Sequence, residues 1–147
     1  MPWRPVVIVT FSFEEVQALR HGARAVLERE VGGPPVAVAA PPEARVRVEQ
    51  LLSRMNGHVS MRTLAEQRRT QAALSTITRV LLDRMHHEVD AAHPAAEPAV
   101  AAYFEYAHAR TVLRRVRDIG EHMTALIEVV TGSPPDDAVA ETFAFPD

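Results

Sequence analysis

The longest regular pattern of apolar positions lies in the C-terminal half of the chain, between Ala102 and Val130. Its positions recur at alternating steps of three and four residues, which is typical of a long helix that packs along one side on other helices. Glu105 is the only charged member, so the pattern predicts a carboxylate at a core position that needs a bonding partner. The full pattern comprises Ala102, Glu105, Ala109, Val112, Val116, Ile119, Met123, Leu126 and Val130.

Shorter patterns predict the other elements and a mainly α fold. Residues 6–11 form a continuous apolar run, rich in β-branched residues, that is typical of a buried strand. Because a lone strand leaves its backbone groups unpaired, we expect it to pair with residues 36–39 or with the same strand of a second subunit. An antiparallel bundle of about four helices accounts for the remaining periodicity. The predicted helices span about residues 12–30, 43–56, 60–92 and 95–131, within a helical-bundle domain of residues 1–132 that precedes a C-terminal tail of residues 133–147.

Local signals mark the helix ends and the tail. Ser12 and Glu15 have the spacing of a capping box, in which each side chain accepts a hydrogen bond from the backbone of the other residue. Ser60 is expected to cap the third helix. The tail carries Phe143 and Phe145, which we expect to pack on the bundle, with the binding of a protein partner as the alternative.

Composition narrows the classes of function. The chain has 147 residues, a formal net charge of −3 and no Cys, which excludes disulfides, thiolate metal sites and Cys nucleophiles. All 16 basic residues are Arg, which suggests a GC-rich bacterial coding sequence. The N-terminus lacks the pattern of a signal peptide, and no apolar run approaches the ~20 residues of a membrane span, so we expect a cytoplasmic protein without membrane contact. No pattern predicts a cofactor, and the net charge does not favour nucleic acid as a partner.

Glu105 and His108 are the first candidates for chemistry. Residues three apart share a face of a helix, so a Glu and a His at this spacing can bind one metal ion. The pair resembles half of the site in ferritin-like di-metal bundles, and the resemblance implies further carboxylate and His ligands on neighbouring helices. Glu88, with Asp83 and His86 on the predicted third helix, could complete a mixed site. The alternative is a structural bond between Glu105 and an Arg or Tyr of a neighbouring helix.

Arg117 and His122 form a second candidate pair. An Arg followed five positions later by a His resembles the motif of HEPN-type ribonucleases, which are small all-α proteins that cleave RNA without metal. The resemblance implies that His122 is the general acid or base and that Arg117 stabilises developing phosphate charge. In an unbroken helix these two side chains point about 140° apart, so they would converge only if Gly120 breaks the helix or across a dimer.

The predicted third helix carries a further pattern. Its residues 64–66 and 75–81 look like parts of a bacterial repressor helix-turn-helix, which would imply that Arg79 contacts DNA. A continuous amphipathic helix with an Arg-rich solvated face explains the same residues, and the spacing favours it.

The three motifs are short, and such spacings of common residues arise by chance in a chain of this length. The sequence therefore favours a non-catalytic regulatory or protein-interaction module over an enzyme. Tyr106, Leu113 and Ile127 flank the heptad pattern, so the fourth helix has a broad apolar face that one chain's other helices would not fully cover. We accordingly predict a homodimer that forms through the fourth helix, the N-terminal strand or both.

Overall fold

The computed structural model describes residues 7–27, 42–91 and 95–143. This part of the chain is mainly helical, with a short two-stranded sheet, and it agrees with the predicted helical bundle that carries an N-terminal strand. The predicted strand partner at residues 36–39 lies outside the described residues. The elements are β1 Val7–Thr10, α1 Phe13–Leu27, α2 Pro42–Arg54, β2 His58–Met61, α3 Leu64–Ala91, α4 Glu97–Thr131 and α5 Asp137–Thr142.

The partner of β1 corrects the sequence analysis. β1 pairs antiparallel with β2, so that Val7 lies opposite Met61, and β2 is a partner that the sequence analysis did not name. The chain reverses into β2 at Gly57, whose φ of +117° lies in the region that favours Gly. Val59 and Met61 are buried while the residues between and before them face outward, which is the alternation of a strand with one covered face.

The start of α3 is a second correction, because Ser60 lies in β2 and caps no helix. α3 begins at Leu64, and Thr63 supplies the cap: its Oγ1 accepts a hydrogen bond of 3.1 Å from the backbone N–H of Glu66. The Glu66 carboxylate in turn accepts a bond of 2.6 Å from the backbone N–H of Arg62. This reciprocal arrangement is close to a capping box and fixes the turn between β2 and α3.

The core lies between the sheet and the first four helices, with α3 and α4 as its longest antiparallel pair. α1 packs on both of them, and Gly22 permits its closest approach to α3, because a Cβ there would lie 2.6 Å from Cγ2 of Ile77. The largest fully buried apolar side chains of this cluster are Leu19, Met61, Leu74, Ile77 and Leu81.

The buried face of α4 follows the heptad pattern only in part. The predicted positions from Ala102 to Met123 are buried or half-buried, but Leu126 and Val130 are 41% and 56% exposed. Ile127 is fully buried in their place. A straight α-helix turns every 3.6 residues, so a stripe with a period of 3.5 drifts by about 20° per heptad and leaves the covered side.

Part of the tail forms α5, which packs on α3 and α4. Asp136 caps it by accepting a bond of 2.8 Å from the N–H of Val139, and Arg69 of α3 bonds Glu141 at 2.8 Å. Ala140 and Phe143 join a second apolar cluster with residues of α3 and α4. Phe143 therefore contacts the chain's own bundle, whereas Phe145 lies outside the described residues.

A membrane-spanning length of apolar helix is absent from the described residues.

Candidate functional site

Glu105 lies at the junction of three helices. Its side chain is 31% exposed instead of lying in the core, and its Oε1 is 2.7 Å from Nδ1 of His21 on α1. The other ring nitrogen of His21, Nε2, is 2.7 Å from a guanidinium nitrogen of Arg84 on α3. The carboxylate that the heptad pattern singled out is therefore bonded to a His of a neighbouring helix, with an Arg behind it.

The hydrogen bonds define the tautomer of His21. A guanidinium can only donate, so Nε2 of His21 accepts the bond from Arg84. Nδ1 therefore carries the hydrogen and donates the hydrogen bond to Glu105. The ring links the Arg84 guanidinium to the Glu105 carboxylate, and it connects α1, α3 and α4 at a position where 44% of its side chain is exposed.

The metal-site residues do not converge in the described structure. His108 is half-buried on α4 and Glu88 is half-buried on α3. Within residues 7–27, 42–91 and 95–143, no three or more His, Asp or Glu side chains are grouped in a way that could hold a metal ion. Metal binding by Glu105, His108 and Glu88 stays a prediction, and Glu105 has His21 as its partner.

Arg117 and His122 lie on an unbroken helix. α4 is continuous through Gly120, so the two side chains point about 140° apart. Nδ1 of His122 bonds the backbone carbonyl of Asp118 at 2.7 Å on the exposed side of the helix, while Arg117 faces a groove between α3 and α4. Within one chain the structure does not bring the predicted ribonuclease pair together.

The groove beside Arg117 has a volume of about 640 Å³. One wall belongs to the first half of α3 and the other to the second half of α4. Its polar side chains include two guanidinium groups, two amides, a hydroxyl and a carboxylate. In the same order, these groups belong to Arg68 and Arg117, Gln67 and Gln71, Thr124, and Glu121.

Gln67 forms the floor of the groove and is only 1% exposed. Its Nε2 donates one bond of 2.8 Å to the backbone carbonyl of Val116 and another of 2.9 Å to Oε1 of Gln71. The amide lies over Gly120, where a Cβ would overlap it. Gly120 is thus a glycine because a neighbouring side chain fills the space of its Cβ, and the helix does not break there.

An ion pair between Glu15 and Arg115 connects α1 to α4. Glu15 and Ser12 form the predicted capping box, with bonds of 2.8 and 3.1 Å, and Arg115 donates a bond of 2.7 Å to the second carboxylate oxygen of Glu15. Burial raises the pKa of Glu15, but the bonds from Ser12 and Arg115 outweigh burial and lower that pKa below its usual value. The carboxylate is therefore charged in the folded protein at neutral pH.

Sequence reasoning missed His21, Gln67 and the role of Gly120. A signal existed for two of them: Gln67 follows Leu64 by three residues on the apolar side of α3, and Gly120 interrupts a helical pattern without ending it. A polar residue on an apolar stripe and a glycine within a helix both indicate a close packing contact. His21 carries no such signal, because its partners are 63 and 84 residues away along the chain.

The outer side of α4 carries exposed apolar side chains at its two ends. Phe104 is 55% exposed and Val129 is 82% exposed. Leu113 and Ile127, which the sequence analysis counted toward a dimer face, are buried within the chain instead. We call the exposed face of α4 the two apolar groups Val100, Tyr103, Phe104 and Leu126, Val129, Val130, together with the polar residues Thr111, Arg114, Asp118 and His122 between them.

The described residues thus present two surfaces that could bind a partner, the groove between α3 and α4 and the exposed face of α4. The first is polar and concave, and the second is apolar at both ends. Comparison of the chain with models of protein families, with curated proteins and with solved structures found no match.

Proposed function

We propose that this protein is a homodimeric, non-catalytic interaction module of the bacterial cytoplasm, and that two copies pair through the exposed face of α4. The observation that carries the proposal is the presence of exposed apolar side chains near both ends of α4. Three lie near the start of α4 and three near its end, with charged and polar side chains between them.

The two apolar groups have the same spacing. Val100, Tyr103 and Phe104 occupy one turn, and Leu126, Val129 and Val130 repeat that spacing about 39 Å further along the helix and about 80° further around it. Their midpoint lies beside Arg115. In a two-fold antiparallel pair centred there, each first group would contact the second group of the other copy, as an isologous interface requires.

The polar middle of the face suits the same arrangement. Arg114 and Asp118 are both exposed and lie on either side of the midpoint. Two-fold symmetry about that midpoint places Asp118 of the partner subunit about 3 Å along the axis from the level of Arg114, within reach of its long side chain, and the converse. Exposed ion pairs stabilise weakly, so we expect these pairs to select the antiparallel register more than to raise the affinity.

The exposed apolar area limits how tightly two copies can pair. Phe104 is 55% exposed, so its burial would remove on the order of 100 Å² from water and contribute about 2.5 kcal/mol. Tyr103 and Val130 point about 180° apart around the helix, so one partner helix covers at most the other four side chains. Four such side chains on each of two copies amount to on the order of 800 Å², somewhat below the ~1,000 Å² expected of a specific interface. α1 begins at Phe13 and its Glu15 meets α4 at Arg115, so among the described residues α1 lies beside only the first half of α4.

Light scattering during gel filtration at micromolar concentration tests the proposal. The wild-type protein is expected to be a dimer, and Phe104→Glu and Leu126→Glu are each expected to be monomers, since a charge would be buried at the interface. Val46→Glu is the matched control, because Val46 is similarly exposed at 51% but lies on α2. Circular dichroism of each variant confirms that it folds. A monomeric wild-type protein overturns the proposal.

A double variant tests the direction of pairing. Phe104→Glu combined with Leu126→Arg introduces opposite charges that face each other only when the two α4 helices run antiparallel. The double variant is therefore expected to recover dimer that Phe104→Glu and Leu126→Arg alone each lose. A double variant as monomeric as the single variants contradicts the antiparallel register.

The non-catalytic part of the proposal has its own test. Purified protein is incubated with RNA in the presence of a chelator, and we expect the RNA to remain intact. RNA cleavage that disappears in His122→Ala would instead support the ribonuclease motif. Elemental analysis of the purified protein addresses metal: bound iron, manganese or zinc that is lost in Glu105→Ala would contradict a metal-free module.

A further inference from the structure

We propose that the groove between α3 and α4 binds an extended peptide segment of about five residues through its main chain, with a basic side chain at one end and an acidic one at the other. The groove shares no residue with the exposed face of α4. The proposal is therefore independent of the proposed dimer.

The floor of the groove has one hydrogen-bond acceptor and one donor group available. Gln67 uses Nε2 to bond Val116 and Gln71, which defines the orientation of its amide. Its Oε1 receives no hydrogen bond from any described residue, although Gln67 is only 1% exposed. Gln71 accepts at Oε1, so its NH₂ group is the part left to donate, and it too has no acceptor within the described ranges.

This pair of amides matches a peptide main chain better than an ion. In an extended chain the N–H and C=O of one residue point to the same side, so they can meet Oε1 of Gln67 and the NH₂ group of Gln71 together. An anion would satisfy the donor but leave the acceptor unpaired, and a cation would do the reverse. A purely apolar ligand would leave both unpaired.

Two hydroxyl groups support a polar occupant. Five Thr side chains of α3 and α4 bond the carbonyl of the residue four positions earlier, namely Thr70, Thr76, Thr78, Thr111 and Thr131. Thr124 and Ser75 line the groove, and neither makes such a bond within the described structure. Their hydroxyl groups are therefore available to a ligand.

The charges at the two ends of the groove set its length and polarity. Glu128 and Arg117 lie about 16 Å apart along α4, which is the span of about five extended residues. Neither forms an ion pair with another described residue. A peptide that carries a basic side chain near Glu128 and an acidic one near Arg117 would pair with both.

The experiment titrates ¹⁵N-labelled full-length protein with two capped pentapeptides, acetyl-Lys-Ala-Thr-Ala-Asp-amide and its reversed sequence, because the structure allows either chain direction. We expect saturable shifts of the Gly120 and Glu121 amide signals with one of them, at a dissociation constant on the order of 1 mM. Methylation of the central peptide nitrogen removes the donor to Gln67 and is expected to weaken binding about tenfold.

Variants separate the groove from general charge attraction. Gln71→Ala and Arg117→Ala are each expected to weaken binding about tenfold. Gln50→Ala and Arg110→Ala, which alter exposed residues away from the groove, are the matched controls and are expected to bind as the wild type does. The proposal is wrong if neither peptide gives saturable shifts up to about 10 mM. It is equally wrong if N-methylation or Gln71→Ala leaves the affinity unchanged.

Discussion

Replacement of Gly120 by Ala should destabilise this protein, although the same change stabilises most helices. An Ala in a helix interior is about 1 kcal/mol more favourable than a Gly. At Gly120, however, the added methyl group would overlap the amide of Gln67, and that amide is buried at 1% exposure. The side chain of Gln67 must therefore move when the methyl group is present.

The magnitude follows from the bonds that Gln67 loses. Its displacement breaks the bonds to Val116 and Gln71, which contribute about 1 kcal/mol each, and it leaves buried polar groups unpaired at a further cost of up to about 2 kcal/mol. Set against the helix preference of about 1 kcal/mol, the net loss is about 1–3 kcal/mol in the free energy of unfolding.

A double-mutant cycle in urea, followed by circular dichroism at one protein concentration, tests this reasoning. In the Gln67→Ala background the obstructing amide is gone, so Gly120→Ala should stabilise that variant by about 1 kcal/mol. Ala101→Gly, at an exposed site of α4, calibrates the helix preference in this same helix. A stabilising Gly120→Ala in the wild-type background, or equal effects in both backgrounds, refutes the close contact as the cause.

Three further outcomes follow from the packing and the charges. Because the pKa of Glu15 is lowered, its contribution to stability is full above its usual value of 4.5 and is lost as the pH falls through the lowered folded-state pKa. When the free energy of unfolding is measured at decreasing pH, the wild-type value should therefore converge on that of Glu15→Gln. Glu14→Gln, at an exposed position, is the control. Gly22→Ala should destabilise by about 1–3 kcal/mol in urea, because its Cβ would lie 2.6 Å from a core methyl of α3. Ile127→Ala should cost about 2–5 kcal/mol, since Ile127 is fully buried, whereas the half-exposed Val46→Ala should change stability by less than about 0.5 kcal/mol.

The first four helices were predictable because each repeats a pattern that only one backbone geometry satisfies. The capping box at Ser12 and Glu15 was predictable for the same reason, since it depends on residues three apart. β2 was not predicted, because a four-residue strand with two outward polar positions has no periodicity that a turn could not also produce. Its pairing with β1 depends on the packing of both strands against the helices, which no local pattern encodes.

The partners of the candidate side chains were less predictable than the side chains themselves. Glu105 stood out in the sequence as a charged residue in an apolar pattern, yet its partner His21 lies on another helix with no pattern to connect them. Gln67 and Gly120 meet because α3 and α4 cross at that level. Contacts of this kind depend on the relative height and rotation of two helices, which a period of 3.6 residues leaves undetermined.

The apolar positions of α4 fall into two sets, those that pack within the chain and those that are exposed, because α1 lies along only the first half of α4. His21 and Glu15 meet α4 at Glu105 and Arg115, so α1 reaches only the first half of that helix. Beyond Arg115 the apolar pattern continues while this neighbour does not, and Leu126 is left exposed at 41%. The apolar pattern of α4 alone therefore does not distinguish positions that are buried within the chain from exposed positions that we propose contact a second copy. That distinction depends on where α1 begins, and an α1 that extended past Arg115 would cover the residues that we propose form half of the dimer contact.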